Sequence, residues 1–294
     1  MSSRILPNFD LLVPNTIAET VNLLAHYKDR AAVIAGGTDL VVAMKMNFES
    51  EILISISELS GLDYIDFDSE SGLHIGAKAT VSQLLQNDAV KQHYPALLQA
   101  ADVFATPQIR TAATVAGNVL RGSPAGDCSC ALMALGARVV LQSAEGTREV
   151  PIEDFWTGYN QNARRADEMA VEIIVDAPQA ATGSAFRRMT RVNEDLAKLN
   201  GSVRLDMDGN ICRSARIAMG CVGPTTLRLP KTEQLLQGEE ITDDLLAHVA
   251  DIVPTEISPI DDKRSTAEYR LMVSGVVIKR LIEQAAAAAS TVAK

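Results

Sequence analysis

Two runs of small and hydroxyl-bearing residues carry the chemistry open to this chain. The longer is Ala105-Thr-Pro-Gln-Ile-Arg-Thr-Ala-Ala-Thr-Val-Ala-Gly-Asn-Val-Leu-Arg-Gly-Ser-Pro-Ala-Gly-Asp127. Ala113, Ala116 and Gly117 keep bulk away from its backbone, Thr111, Thr114 and Ser123 add hydroxyls, and Asp127 adds a carboxylate. Such a backbone can approach a polar ligand closely, which suits a phosphate-bearing cofactor. A surface loop punctuated by proline accounts for Pro107 and Pro124 but not for the clustering from Thr114 to Ser123. The shorter run, Val33-Ile-Ala-Gly-Gly-Thr-Asp-Leu40, breaks a β-rich stretch at two glycines and restarts at a hydroxyl and a carboxylate. Gly36 and Gly37 can turn their N–H groups toward an anion, and a helix starting near Leu40 adds the positive end of its dipole. A plain strand-to-helix turn capped by Thr38 or Asp39 is the other reading of this run. Two such runs in one chain suggest two clamps on one extended molecule.

The elements that must position these runs follow an α+β order. Ile17, Val21 and Leu24 recur at helical spacing behind Thr16 and Glu19, a capping-box pattern, so a helix is expected over Ile17–Tyr27. Ala31–Ala35 reads as a strand, Leu40–Met46 as a short helix whose apolar side chains pack in the core, and Glu51–Ile56 as an alternating strand. Further along, Gly72–Gly76 reads as a strand containing a structural His74, and Thr80 starts a helix. Pro95–Ala101 and Ala131–Gly136 read as helices, Arg138–Gln142 as a strand followed by a turn around Glu145-Gly146, and Met169–Val175 as an apolar run. The polar stretch Gln179–Ser184 marks a boundary. Beyond it, Ala185–Arg191, Gly201–Met207 and Ile211–Met219 are expected as antiparallel strands turned at Asp208-Gly209. Helices follow near Thr232–Leu236, Asp243–Ile252 and Ala267–Ala287, with a frayed tail over Ala285–Lys294.

Composition narrows the class. A chain of 294 residues with 47% hydrophobic content can bury substantial cores in two or three units. Its formal net charge of −10 argues against a nucleic-acid partner. The N-terminus lacks a basic stretch followed by an apolar one, and no run approaches the ~20 apolar residues that span a bilayer, so a cytoplasmic protein without a membrane role is expected. Cys128 and Cys130 have no further Cys or His close in sequence, and Cys212 and Cys221 flank the apolar Ala215–Met219. All four are read as buried thiols in a reducing compartment, not as metal ligands.

The pair Ala35-Gly-Gly-Thr-Asp-Leu40 and Thr106-Pro-Gln-Ile-Arg-Thr-Ala-Ala-Thr-Val-Ala-Gly-Asn118, followed by Ser123-Pro-Ala-Gly-Asp127, resembles the FAD-binding medium subunit of the molybdenum hydroxylases. That group includes the xanthine dehydrogenases, carbon monoxide dehydrogenase and nicotinate dehydrogenase. Asn193-Glu-Asp-Leu-Ala-Lys198, Ala218-Met-Gly-Cys-Val-Gly-Pro224 and Ser265-Thr-Ala-Glu-Tyr-Arg270 extend the resemblance from about Phe9 to Leu281. It implies a two-lobed FAD-binding domain of the vanillyl-alcohol/molybdopterin dehydrogenase type over residues 1–178, with lobes of about 1–57 and 58–178. A C-terminal flavoprotein domain with a small antiparallel sheet and helices would follow over 184–288, with a tail at 289–294.

The resemblance also implies a site. Ala35, Gly36, Gly37, Thr38, Asp39 and Leu40 match the first FAD loop, whose amides and Thr hydroxyl would hold the diphosphate. Thr114, Gly117 and Asn118 match the second clamp, with Thr106 and Ser123 in the same matched runs. Phe104 matches an aromatic position that packs on adenine in some relatives, although a core phenylalanine is equally open. Asp127 matches a carboxylate that reaches the cofactor, or caps a helix. Lys198 matches a cation near the flavin, or is a surface lysine paired with Asp195. One departure stands out: the family's Thr-x-Gly-Gly-Asn reads Thr114-Val-Ala116-Gly-Asn here, and alanine costs about 1 kcal/mol if that position needs positive φ.

The function this resemblance implies is that of an FAD-carrying subunit without acid–base residues or metal ligands of its own. A large molybdenum-cofactor subunit would handle the organic substrate, and a small subunit would relay electrons through [2Fe–2S] clusters to noncovalent FAD on this chain. An external acceptor or donor would complete the exchange, and the complex is expected as a dimer of heterotrimers. The cysteine-rich insertion of the 4-hydroxybenzoyl-CoA reductases is missing between Asn118 and Ser123, so no cluster is expected in this chain. A self-sufficient flavin oxidase and a scaffold that has lost FAD are the alternatives.

Overall fold

The computed structural model describes residues 6–46 and 48–292. The first elements are strand β1 (Asp10–Leu12), helix α1 (Ile17–Tyr27), β2 (Ala31–Ile34), α2 (Leu40–Lys45) and β3 (Ile52–Ser55). They form a parallel three-stranded sheet in the order β1-β3-β2. Thr16 Oγ1 accepts from the Glu19 N–H, while Glu19 reaches back to Asn15 N–H, so the N-cap forms with the carboxylate one residue beyond the expected box. β3 is buried at Ile52, Leu53 and Ile54 without alternation because it is the central strand, flanked by β1, a strand the sequence does not announce. The Val41–Met46 run departs from the expected core role: Met44 is buried, but Val42 and Met46 face outward.

The second group is β4 (Ile65–Asp68), β5 (Gly72–Gly76), α3 (Val81–Gln86), α4 (Asp88–His93), α5 (Pro95–Asp102), α6 (Pro107–Arg110), α7 (Val115–Arg121), α8 (Asp127–Leu135), β6 (Arg138–Ser143), β7 (Gly146–Pro151), α9 (Ile152–Phe155) and β8 (Met169–Val175). Its five strands lie antiparallel in the order β4-β5-β8-β6-β7. β8 serves two cores. Met169 and Val171 pack with Val21 and Leu24 of α1 and Ile54 of β3, whereas Ala170, Ile173 and Val175 join the core beneath α3, α5 and α8. A bulge opposite Val140/Leu141 makes this possible by shifting which residues face each side.

The last group is β9 (Thr182–Met189), β10 (Leu199–Asp208), β11 (Ile211–Gly220), β12 (Leu227–Arg228), α10 (Pro230–Leu236), α11 (Asp243–Ile252) and α12 (Ala267–Val292). The antiparallel sheet runs β12-β11-β10-β9, and Gly209, at φ 58°, turns the β10–β11 hairpin as the Asp-Gly pair predicts. α12 packs on β9 and β10, and is helical to Val292, past the expected Ala287. Positions 293 and 294 lie outside the described residues.

Helix α8 is the wall between the last two groups. All nine of its residues are buried, and it packs on α5 on one side and on β10 and β11 on the other. Small and apolar side chains all round it, from Cys128 to Leu135, are what permit burial on every face.

Candidate functional site

The first run leaves β2 at Ile34 and enters α2 at Leu40 through a tight turn in which Gly37 takes φ 67°. Among the described residues, the backbone N–H groups of Gly36, Gly37, Thr38 and Asp39 donate to no protein acceptor, and neither does the Thr38 hydroxyl. A row of free donors at a turn is what a diphosphate accepts from. Ala35, Gly36 and Asp39 are exposed, and Gly37, Thr38 and Leu40 are half-buried.

The second run is largely helical and not a long loop. Thr106 caps α6 by accepting from Ile109 N–H, and Thr114 caps α7 by accepting from Gly117 N–H at 2.9 Å. The run is pinned to the segment between β5 and α3 by Val81 N–H to Ala113 O and Val115 N–H to Ala79 O, both near 3 Å. Ala116 is the second residue of α7, without positive φ, and its methyl is buried in the core, so alanine in place of the family's glycine carries no backbone penalty here. Gly117 is exposed in the first turn. Asn118 Oδ1 accepts from the Ser129 N–H and hydroxyl, each at 3.1 Å, which ties α7 to α8. Ser123 Oγ accepts from Ala125 N–H.

The two runs touch. A Cβ on Gly36 would lie 1.7 Å from the carbonyl oxygen of Ala112, so only glycine lets the first turn lie against the second run. Asp39 and Arg121 close the same junction with an ion pair. Phe104, half-buried against the core, sits at the start of the segment leading to α6, where the Arg110 guanidinium donates to its carbonyl. The core role and the approach to the second run thus meet at one residue.

Asp127 opens α8 and does not cap it, because Gly126 holds the N-cap position. Its Oδ2 accepts from Arg188 Nη1 and its Oδ1 from Asn200 Nδ2, both at 3.0 Å. Burial pushes the carboxyl up to about 6, against the pull of the Arg188 charge and the Asn200 amide. Lys198 lies over the Tyr269 ring at 5.3 Å, while Asp195 pairs with Arg191 instead. The Lys198 carbonyl accepts from Arg270, a fully buried guanidinium that also reaches Asp262 and the Ile260 carbonyl. The structure therefore joins the first run, the second run and Asp127 into one continuous region, with Lys198 reached through the C-terminal sheet.

All four thiols are free and buried, and burial pushes Cys212 up to about 11 and Cys221 up to about 12. A concavity of about 300 Å³ between Met133, Glu153, Thr226 and Arg228 lies at the other end of α8, where Arg228 pairs with both Glu153 and Glu233. Sequence reasoning missed Ala112, Arg121, Arg188 and Asn200. Only Arg188 left a signal: adjacent arginines at 187 and 188 in one strand force one of them inward.

Two family models cover the chain: the FAD binding domain in molybdopterin dehydrogenase matches residues 7–178, and the CO dehydrogenase flavoprotein C-terminal domain matches 184–285. The chain belongs to the FAD-binding family of the molybdopterin dehydrogenases. It is 33% identical over 284 residues to the nicotinate dehydrogenase FAD-subunit of Eubacterium barkeri, covering 94% of this chain and 96% of that one. It is 31% identical over 280 residues to the carbon monoxide dehydrogenase medium chain of Hydrogenophaga pseudoflava, covering 95% and 97%. A solved carbon monoxide dehydrogenase from Hydrogenophaga pseudoflava, lacking the Mo-pyranopterin moiety, superposes with a TM-score of 0.93 at 31% identity, over 96% of this chain and 99% of that one.

Gly36→Ala should force the two runs apart and weaken FAD binding by about fivefold or more, since overpacking of this kind costs at least ~1 kcal/mol. Fluorescence titration of the folded variant checks this, and an affinity within twofold of wild type contradicts it. Asp127 yields a second prediction, of pH dependence. Its folded value stands above the unfolded one, so the folded state holds the proton longer, and stability falls as pH rises from about 4 to about 6. Relative to wild type, Asp127→Asn should gain melting temperature across that window and hold a constant difference above it. A difference that stays constant or shrinks from pH 4 to 6 contradicts the assignment.

Proposed function

We propose that this chain is the FAD-carrying, electron-transferring subunit of a heteromeric molybdenum-dependent dehydrogenase or hydroxylase. The observation that carries the reading is the contact between a turn with free N–H donors and a second run of small and hydroxyl-bearing residues, within a chain of this family. When bound, FAD supplies the one- and two-electron chemistry that links the [2Fe–2S] clusters of a small partner subunit to an external donor or acceptor. The organic substrate belongs to a large molybdenum-cofactor subunit.

Each residue's part follows from its position. Gly36, Gly37, Thr38 and Asp39 bind the diphosphate through their N–H groups and the Thr38 hydroxyl, with Ala35 and Leu40 setting the turn that aims them. Gly117 opens the face of α7 to the cofactor, while Thr114 and Asn118 hold that helix in place. Thr106, Ser123 and Phe104 line the approach, and Asp127 borders it from α8. Lys198 offers a positive charge toward the flavin end. The division into 1–178, with lobes 1–57 and 58–178, then 184–288 and a tail at 289–294, accompanies this reading. So do a cytoplasmic setting, a dimer of heterotrimers and the lack of a nucleic-acid partner. In support, among the described residues no helix is long and apolar enough to cross a membrane.

Acid precipitation of the purified chain should release free FAD into the supernatant, because neither run presents an attachment residue. Native purification should bring two further subunits, molybdenum and iron along with it. Flavin retained in the pellet contradicts noncovalent binding. An active homo-oligomer that oxidises an organic substrate without molybdenum or iron contradicts the subunit assignment.

A further inference from the structure

The Ser123–Asp127 segment, which lies just after the second run's helices, is held from outside its own domain. Arg188 in β9 and Asn200 in β10 each donate to Asp127, across 61 and 73 positions of sequence. The N–H of Cys221, at the end of β11, donates to the Pro124 carbonyl at 2.8 Å, and its thiol lies 3.3 Å from the Ala197 carbonyl oxygen. Cys221 adopts φ 63°, a conformation that side chains rarely take. Gly220 makes the contact possible, because a Cβ there would lie 2.2 Å from Asn200 Oδ1 and 2.4 Å from the Pro124 oxygen. The Arg188 side chain is almost fully buried, and its other nitrogen donates to the Asn193 carbonyl. Arg188 therefore fixes Asp127 and the loop that leads to Lys198 at once.

The opposite end of α8 carries a separate tie between the same groups. Glu153 bridges Arg216 and Arg228, and Arg216 and Arg204 donate to the carbonyls of Met133 and Leu135. Nine residues of helix place these two ties about 13 Å apart. One lies beside the cofactor run and the other does not.

We propose that Arg188, with Asn200 and Cys221 beside it, is a positioning residue for FAD, so that the cofactor site is completed by the C-terminal domain. Its action passes through Asp127 and Pro124 to the Ser123–Asp127 end of the second run, beside which the Asn118–Ser129 bonds tie α7 to α8. The proposal rests on reading the two runs as the FAD site.

The test uses the full chain, stripped of flavin and titrated with FAD. Arg188→Met should raise the FAD dissociation constant about tenfold or more and change the visible circular dichroism of the bound flavin. Arg188→Lys, which keeps a charged donor for Asp127, should restore most of both. Gly220→Ala, which alters no charge, should weaken FAD in the same sense by displacing Pro124. Glu153→Gln should lower the melting temperature while leaving the dissociation constant within about twofold. An Arg188→Met protein that melts earlier but keeps wild-type affinity and dichroism overturns the proposal. Where Arg188→Met does not fold, Asn200→Ser, which removes the second donor to Asp127, decides it by the same two readouts, wild-type values in both overturning it. A wild-type chain that binds no FAD fails at the first step, and that result refutes the reading of the two runs before any variant is compared.

Discussion

Everything proposed for this chain depends on the close approach of Gly36 to the Ala112 carbonyl. Separate turns on separate sheets would each offer a few donors to solvent, whereas turns in contact present one continuous surface of free N–H groups and small side chains. The approach leaves no room for a Cβ. Asp39 and Arg121 add an ion pair across the same junction, half-exposed and therefore a modest contribution to stability, but one that fixes the register of α2 against α7. The close contact determines where the two runs meet, and the charge pair determines how they are rotated.

A second constraint acts from below. α8 is buried on every face, so its ends have no solvent to satisfy them, and the C-terminal sheet supplies what water would have supplied. Arg204 and Arg216 approach the carbonyls at its C-terminal end, in the sense that suits the helix dipole. Asp127 places a carboxylate at its N-terminal end, again in the favourable sense, but with a desolvation cost that Arg188 and Asn200 only partly offset. The same helix therefore separates the two hydrophobic cores, joins the domains and borders the cofactor run.

Much of this was legible from residue order. The α1 boundaries, the Thr80 capping box with Gln83, the Asp208-Gly209 hairpin and the three long C-terminal strands follow from local chemistry that tertiary contacts did not override. β1, β4 and β7 were not legible, because short strands gain their identity from a neighbour and not from their own pattern. The run from Thr106 to Asn118 looked like a loop because its helices are four and seven residues long, too short for a periodicity to appear, and only their Thr caps betray them. Beside the site, the strand-to-helix turn at Gly36 and Gly37 could be read directly. The partners of Asp127 could not, since Arg188 and Asn200 are brought to it by the packing of β9 and β10 on α8.

The central claim is that the free amides of the first turn, set against the second run, hold FAD. Amide hydrogen exchange of the purified chain with and without FAD measures this most directly. The amides of Gly36, Gly37, Thr38 and Asp39 should exchange rapidly in the free chain and become strongly protected by FAD, while those around Thr226 and Glu233 are unchanged. Bound FAD that leaves residues 36–39 in rapid exchange would contradict it.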